Sequence, residues 1–381
     1  MGRKRPISEE IKEAEESAGK RIKKNEKLLK KGNLLSSGST LLDLSCSDRS
    51  HGAFVGGRYY LFIGASSAGK TWVCYQVLAE SCMHPKFKDH KCIFDDVEVG
   101  SNMDIEYFFG KKLANKLQPP APGRKDKEGL PHENSKTIEE FYDSLDNHLD
   151  EAEANGTGII YVLDSMDALT SEAEIKKAKD NKKKRDAKQS IETGSYGDGK
   201  AKINNQNIRR ICSRLEKTNS LLLIICQERV DITSPFKAKT FSGGKGLLFY
   251  ATMQIWFQIK GAIKATIKGK ERDLGTKTLI KVGKNRLTGK KHKEILFPIY
   301  HSFGVDNIGA SIEWLLDEKR WTKNKLKIKA PDFDVEMTME KLVKHIEENN
   351  LEEELNKIVQ GEWDEIQTLI EEKVTRKKRY T

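Results

Sequence analysis

The chain has 381 residues, 37% of them hydrophobic and 33% charged, with a formal net charge of +11. That length allows one large domain with extensions or two ordinary ones, the low apolar fraction calls for long solvated stretches around a core, and the excess of cations favours a polyanionic partner such as nucleic acid. No apolar run approaches the roughly 18 residues of a bilayer span, and the six cysteines (Cys46, Cys74, Cys82, Cys92, Cys212, Cys226) lack C-x-x-C spacing, which argues against a zinc knuckle, a disulfide framework or a membrane location and leaves a cytoplasmic protein with reduced thiols.

Residues 1–32 are dominated by Lys, Arg and Glu, with Ile22, Leu28 and Leu29 at helical spacing in "RIKKNEKLLKKG". They read as a basic helical arm whose apolar face can pack on a neighbouring molecule. Short, nearly continuous apolar runs follow: "RYYLFIG" (58–64), "KCIFDD" (91–96), "GIIYVLDS" (158–165) and "SLLLIICQ" (220–227). Such runs suit strands covered on both faces, and the amphipathic stretches between them predict an α/β fold with a mainly parallel sheet. The later runs 251–261, 276–287 and 293–304 leave no room for helices and predict antiparallel strands at one edge.

Two segments interrupt this pattern. Residues 118–135 carry the Pro, Gly and charge of a mobile surface loop, and 171–202 are too polar and glycine-rich to pack as core. Beyond residue 310, apolar residues at three- and four-residue spacing predict a small helical region. The expected boundaries are therefore an arm at 1–32, a core at 33–310 and a C-terminal helical region at 311–381.

Gly64-Ala65-Ser66-Ser67-Ala68-Gly69-Lys70-Thr71 fits G-x-x-x-x-G-K-[ST] directly after an apolar strand and before the helical "TWVCYQVLAESC". Small residues let successive backbone N–H groups turn inward around phosphate oxygens, aided by the positive end of the helix. A nucleotide is expected there, with Lys70 reaching its β- and γ-phosphates and Thr71 ligating Mg²⁺. Asp164, ending "IIYVLD", stands where a Walker B carboxylate would hold the same ion. In "IFDDVEVG", Glu98 can act as general base toward water, and Asp95 and Asp96 compete for that role on spacing alone. Gln227 ends "LLLIICQ" either as a γ-phosphate sensor or as a strand-end amide in an ordinary hydrogen bond.

In order and content, these segments resemble the RecA family of recombinases over most of residues 33–310. "GNLLSSGSTLLDL" is similar to that family's lead-in, "FDDVE" to its strand bearing the catalytic Glu, "VLDSMDALTSEAEI" to its Walker B segment, "NSLLLIICQER" to its sensor strand and "FSGGKGLLFYA" to the end of its second DNA-binding loop. The resemblance implies a RecA-type P-loop ATPase core with DNA-binding loops near 171–204 and 231–246. It implies that Glu98 activates water and that Gln227 couples the γ-phosphate to the second loop. Lys202, Asn205 and Arg209 would contact DNA beside the first loop, and Gly243, Gly244 and Lys245 in the second. Lys284 and Arg286 in "VGKNRL" match a pair of cations that reach the ATP of the adjacent subunit, with Arg286 where Lys is usual, which keeps the charge but changes its shape.

The implied activity is DNA-dependent ATP hydrolysis in a helical filament on single-stranded DNA, pairing it with double-stranded DNA, with single-strand-binding and loader proteins as partners. Lysines of 176–202 with Lys237, Lys239 and Lys245 would supply the electrostatic grip, and Phe236 and Phe241 are candidates for stacking on bases. Residues 171–202 depart from the bacterial recombinases in being longer and more basic than their first loop, and the C-terminal "EWLLDEKRWTK" with the helices after it resembles the tail of phage-type, UvsX-like members, for which the host cytoplasm is the setting. A RecA-fold replicative helicase and an ATP-binding recombination mediator that hardly hydrolyses are the rival readings.

Overall fold

In the computed structural model, residues 28–30, 32–100, 102–187, 198–230, 239–241 and 243–373 are described. Strands β1 (Leu34–Leu35) and β2 (Phe54–Val55) bracket helix α1 (Thr40–Ser47), which Ser39 caps, and lead into β3 (Arg58–Gly64) and α2 (Lys70–Met83). Next come β4 (Lys91–Asp96), the short α3 (Ile105–Phe109) and α4 (Lys111–Lys116), and β5 (Leu117–Gln118). Helix α5 (Ile138–Asn155), β6 (Ile159–Asp164), α6 (Glu172–Asp186), α7 (Asp198–Thr218) and β7 (Leu221–Val230) follow, then β8 (Lys239–Phe241) and α8 (Lys245–Tyr250). A long hairpin of β9 (Met253–Ile267) and β10 (Lys270–Asn285) precedes β11 (Ile295–Tyr300) and β12 (Gly304–Val305). The chain ends in α9 (Asn307–Asp317), β13 (Thr322–Asn324), β14 (Lys327–Ala330), β15 (Val335–Thr338), α10 (Met339–Glu348) and α11 (Glu352–Lys373).

The four apolar runs become β3, β4, β6 and β7 of one sheet with the order β12-β11-β10-β9-β3-β7-β6-β4-β5. From β9 to β5 neighbouring strands are parallel, and β10, β11 and β12 add antiparallel pairs at one edge, as the helix-free run of sequence requires. Successive residues of a strand face opposite sides. Tyr60 and Phe62 of β3 accordingly join a core under α2 and the C-terminal helices, while Tyr59, Leu61 and Ile63 join a second core under α5 and α7. Burial on both faces explains why the runs lack a polar alternation.

Three segments depart from expectation. Residues 118–135 form a tightly bonded surface loop: Asp126 Oδ1 accepts from Glu128 N at 3.0 Å and Leu130 N at 2.9 Å, and Arg124 Nη2 donates to Asn134 O at 3.0 Å. The expected first DNA-binding loop is helical over much of its length, because Ser171 and Glu174 build a capping box that starts α6 and α7 begins at Asp198; residues 188–197 lie outside the described ones. The C-terminal region is not purely helical, since β13, β14 and β15 make a separate antiparallel sheet. Its one clear alternation, exposed Lys327 and Lys329 against buried Ile328 and Ala330, is four residues long, too short to stand out from a charged background.

The arm of residues 1–32 lies outside the described residues up to residue 27, Ile22 included. Among the described residues no helix is long and apolar enough to cross a membrane.

Candidate nucleotide and nucleic-acid site

Parallel strands deliver their C-terminal ends to one edge of a sheet, and the loops there form its crevice. Register places Gly64 beside Gln227 and Asp96 beside Asp164, so all the sequence-predicted acids and the phosphate loop meet at that edge. Gly64 must be glycine for packing reasons: a Cβ there would lie 2.4 Å from the Phe257 carbonyl oxygen of β9. Ser67 (φ 59°) and Gly69 (φ 89°) take left-handed conformations that curl the loop into the first turn of α2. Lys70, 6% exposed, donates through Nζ to Gly64 O at 2.9 Å and Ala65 O at 2.6 Å, which keeps its ammonium inside the cradle. Burial lowers its pKa, opposed by Asp164 and Glu98.

Thr71 Oγ1 donates to Asp164 Oδ2 at 2.6 Å. Burial pushes the Asp164 carboxyl up to about 6, against the Thr71 bond and with Glu98 and Asp96 adding to the rise. A hydroxyl and a carboxylate in contact are hard oxygen donors suited to Mg²⁺, which takes few protein ligands and completes its shell with phosphate and water. Among the described residues there is no cluster of three or more His, Cys, Asp or Glu that could hold a metal ion.

The three acids differ in their surroundings. Asp95 is fully buried and accepts from Ser135 N at 2.8 Å, Ser135 Oγ at 2.7 Å and Tyr161 OH at 2.8 Å, which occupies it as a structural anchor. Asp96 lies at the end of β4 and accepts from Gly100 N at 3.3 Å. Glu98 instead reaches across the edge, where Oε1 accepts from Ser165 Oγ and from Gln227 Nε2, the latter at 3.0 Å. Gln227 is thus a partner of Glu98, and its backbone N donates to Asp167 Oδ2 at 2.6 Å.

Lys284 and Arg286 do not join this edge. Lys284 pairs with Gln254, itself level with Leu61, three residues or about 10 Å along the strand from Gly64. Lys284 Nζ donates to Leu248 O at 2.6 Å and Phe249 O at 2.8 Å, capping α8, and the Arg286 guanidinium lies over the Phe249 ring at 5.4 Å. Burial lowers the Lys284 pKa to about 8, with Arg286 contributing.

The residues expected to contact DNA beside the first loop lie on α7. Lys202, Asn205 and Arg209 are exposed at helical spacing, while Asn204, Ile208 and Ile211 are buried on the other side. Gly244 lies against this helix so closely that a Cβ would stand 2.7 Å from Ala201 Cβ, and a Cβ on Gly243 would stand 2.6 Å from Leu247 Cδ1 of α8 and 3.3 Å from Asn204 Nδ2 of α7. The Lys245 side chain, Phe236, Lys237 and the Lys239 side chain fall outside the described residues, and Phe241 is half-buried.

Sequence reasoning missed Asn204, Asp167 and a cleft beside the phosphate loop. Asn204 Oδ1 accepts from Tyr142 OH at 2.9 Å and Nδ2 donates to Gly243 O at 2.8 Å. The available signal was an amide four residues before Ile208 in the apolar stripe completed by Ile211 and Leu215. The cleft, about 290 Å³, is lined by Trp72, Met103, Thr276, Ile299, Tyr300 and His301 with the loop itself, a place for the base of a nucleotide that depends on three distant segments.

Comparison with known proteins agrees with this geometry. The family model for the RecA N-terminal domain matches residues 143–306, which include Asp164, Gln227 and the α7–α8 region but not the phosphate loop. The chain is 27% identical to protein RecA of Colwellia psychrerythraea over 284 residues (73% of the chain, 69% of that protein) and 26% identical to protein RecA of Rhizobium etli (73% and 66%). It is 25% identical to protein RecA of Parvibaculum lavamentivorans over 320 residues (82% and 74%). The matched stretch thus spans about two thirds of the length of the first two relatives.

Proposed function

We propose, on the premise that this is a RecA-family protein, that the chain is an ATP-dependent recombinase which coats single-stranded DNA as a helical filament and pairs it with a homologous duplex. The observation that carries this reading is the contact of Gln227 with Glu98 at 3.0 Å, because the strand that holds this sensor runs on through Glu228, Arg229 and Val230 toward the second DNA segment, pairing with Phe241, Thr240 and Lys239.

In the proposed mechanism, the loop amides and Lys70 hold the triphosphate, and the cleft beside Trp72 and Tyr300 receives the base. Thr71 and Asp164 would hold Mg²⁺, which when bound offsets charge on the β- and γ-oxygens. Glu98 takes a proton from the attacking water, while Ser165 fixes the carboxylate and Gln227 reports the γ-phosphate. Loss of that phosphate removes a hydrogen bond that orders the second segment, and the grip on DNA weakens. Lys284 and Arg286, remote from their own phosphate loop, act on the neighbour's nucleotide, so the contact is head-to-tail and propagates. A cytoplasmic setting and DNA-dependent ATPase activity follow from this reading, and a phage-type origin is its extension.

The test is fluorescence anisotropy of a labelled oligo-dT with the full chain in the presence of a non-hydrolysable ATP analogue, ADP or neither. Binding at least about tenfold tighter with the triphosphate supports the reading, since one such step is about 1.4 kcal/mol. Equal binding in all three states overturns it.

A further inference from the structure

The turn after Asp164 carries a second carboxylate that the hydrolytic machinery does not use. Asp167 Oδ2 accepts from Gln227 N at 2.6 Å, and Oδ1 lies 3.2 Å from Arg229 Nη2. The Asp167 side chain is 5% exposed and that of Arg229 58%, so the anion is fixed in the fold and the cation reaches it from solvent. Oδ1 is buried and accepts no well-aligned hydrogen bond among the described residues, which leaves its contact with Arg229 one of charge alone.

Lys200 meets the same turn from the other side. Its Nζ donates to the main-chain carbonyls of Asp167 at 3.2 Å and Met166 at 3.5 Å. Each cation stands at the root of one DNA-directed segment: Lys200 is two residues before Lys202 in α7, and Arg229 is two residues past Gln227 in β7.

We propose that Asp167 is a positioning residue that acts as an internal substitute for a nucleic-acid phosphate, holding Arg229 inward and the Gln227 main chain in register with Glu98 until a DNA phosphate draws Arg229 away. The proposal rests on the recombinase reading above. Carboxylate and phosphate present similar paired oxygens to a guanidinium, so they compete for the same donors. A pair with one exposed partner is weak, and a polyanion that also releases counterions can displace it. Glu98 Oε1 is shared between Ser165 and Gln227. A shift of Gln227 that follows release of Arg229 frees that oxygen to accept a proton from water. DNA contact thereby accelerates hydrolysis without touching the nucleotide.

Asp167→Asn retains an acceptor for Gln227 N and removes the charge. In the full chain, affinity for labelled oligo-dT with ADP is expected to rise about 2- to 5-fold, the scale of one exposed ion pair. The ratio of triphosphate to diphosphate affinity falls by the same factor, and the stimulation of ATP hydrolysis by DNA shrinks. A variant that melts like the parent but keeps the parent's affinity ratio and stimulation overturns the proposal. Arg229→Gln, a change at an exposed side chain, is the second arm: reduced stimulation supports the assignment, and unchanged stimulation overturns it. If the parent binds no DNA in any nucleotide state, the recombinase reading fails first and the proposal with it; if only the variants behave like the parent, the role of Asp167 fails alone.

Discussion

Glu98 and Asp95 stand three positions apart and differ in what reaches them. The three donors around Asp95 occupy its carboxyl in the interior, whereas Glu98 is tied at one oxygen by Ser165 and Gln227 at the strand-end edge. Glu98→Gln keeps an oxygen able to accept from Ser165 and removes the base. Single-turnover ATP hydrolysis is expected to fall by about 10²- to 10⁴-fold, with nucleotide affinity retained. An undiminished rate would move the base to another residue. Spacing alone could not make this choice, because three acids within four residues lie equally close to the end of an apolar strand and only Ser135 and Tyr161, 40 and 66 residues away, withdraw one of them.

At the scale of elements, α7 has an exposed stripe of Lys202, Asn205 and Arg209, which only the resemblance marks, and a buried side that holds Asn204 against Gly243. Arg210 and Arg214 on the same helix are paired with Asp146 of α5, which spends their charge on holding the helix down. Asn204→Leu would leave Tyr142 OH and Gly243 O without their partner. Denaturant unfolding is expected to show a loss of about 1–3 kcal/mol for each group so orphaned. DNA affinity should drop with it, while ATP binding at the phosphate loop stays at the parent level. Parent-like DNA affinity would show that the stem of the second segment is held by other contacts.

Across the whole molecule, Lys284 lies level with Leu61, midway along β3 and about 10 Å from Gly64 where the phosphate loop begins, and in the proposed filament it would reach a neighbour's nucleotide rather than its own. The depressed pKa of Lys284, about 8, gives this a pH signature. A base whose pKa is lowered keeps its proton below that value and loses it above, and a neighbour's phosphate would pull the pKa up again. Assembly with ATP should therefore take up a proton and weaken as pH rises through about 8, as followed by light scattering. Lys284→Arg, charged throughout, should flatten the profile; a profile unchanged by the substitution would exclude Lys284 from the contact. The C-terminal region is bound to this core rather than appended to it, with Trp363 Nε1 donating to Asp48 Oδ1 at 3.1 Å and Asn356 Oδ1 accepting from Thr40 Oγ1 at 2.6 Å.

The sequence by itself determined the α/β class, the run of parallel strands, the phosphate loop and the antiparallel edge, because each is written in neighbouring residues: apolar runs, a glycine-rich octet and the absence of room for helices. It also marked Asp164, Glu98 and Gln227 as polar groups closing apolar runs, although β7 continues past Gln227 to Val230. Only the tertiary structure decided which of the acids is satisfied and which is available, that Lys284 and Arg286 lie away from their own phosphate loop, and that Asp167 and Asn204 tie that edge to β7, α7 and Gly243. Those outcomes depend on partners tens to hundreds of residues apart, and the burial and hydrogen bonding that set a polar group's role exist only once the sheet has brought its strand ends together.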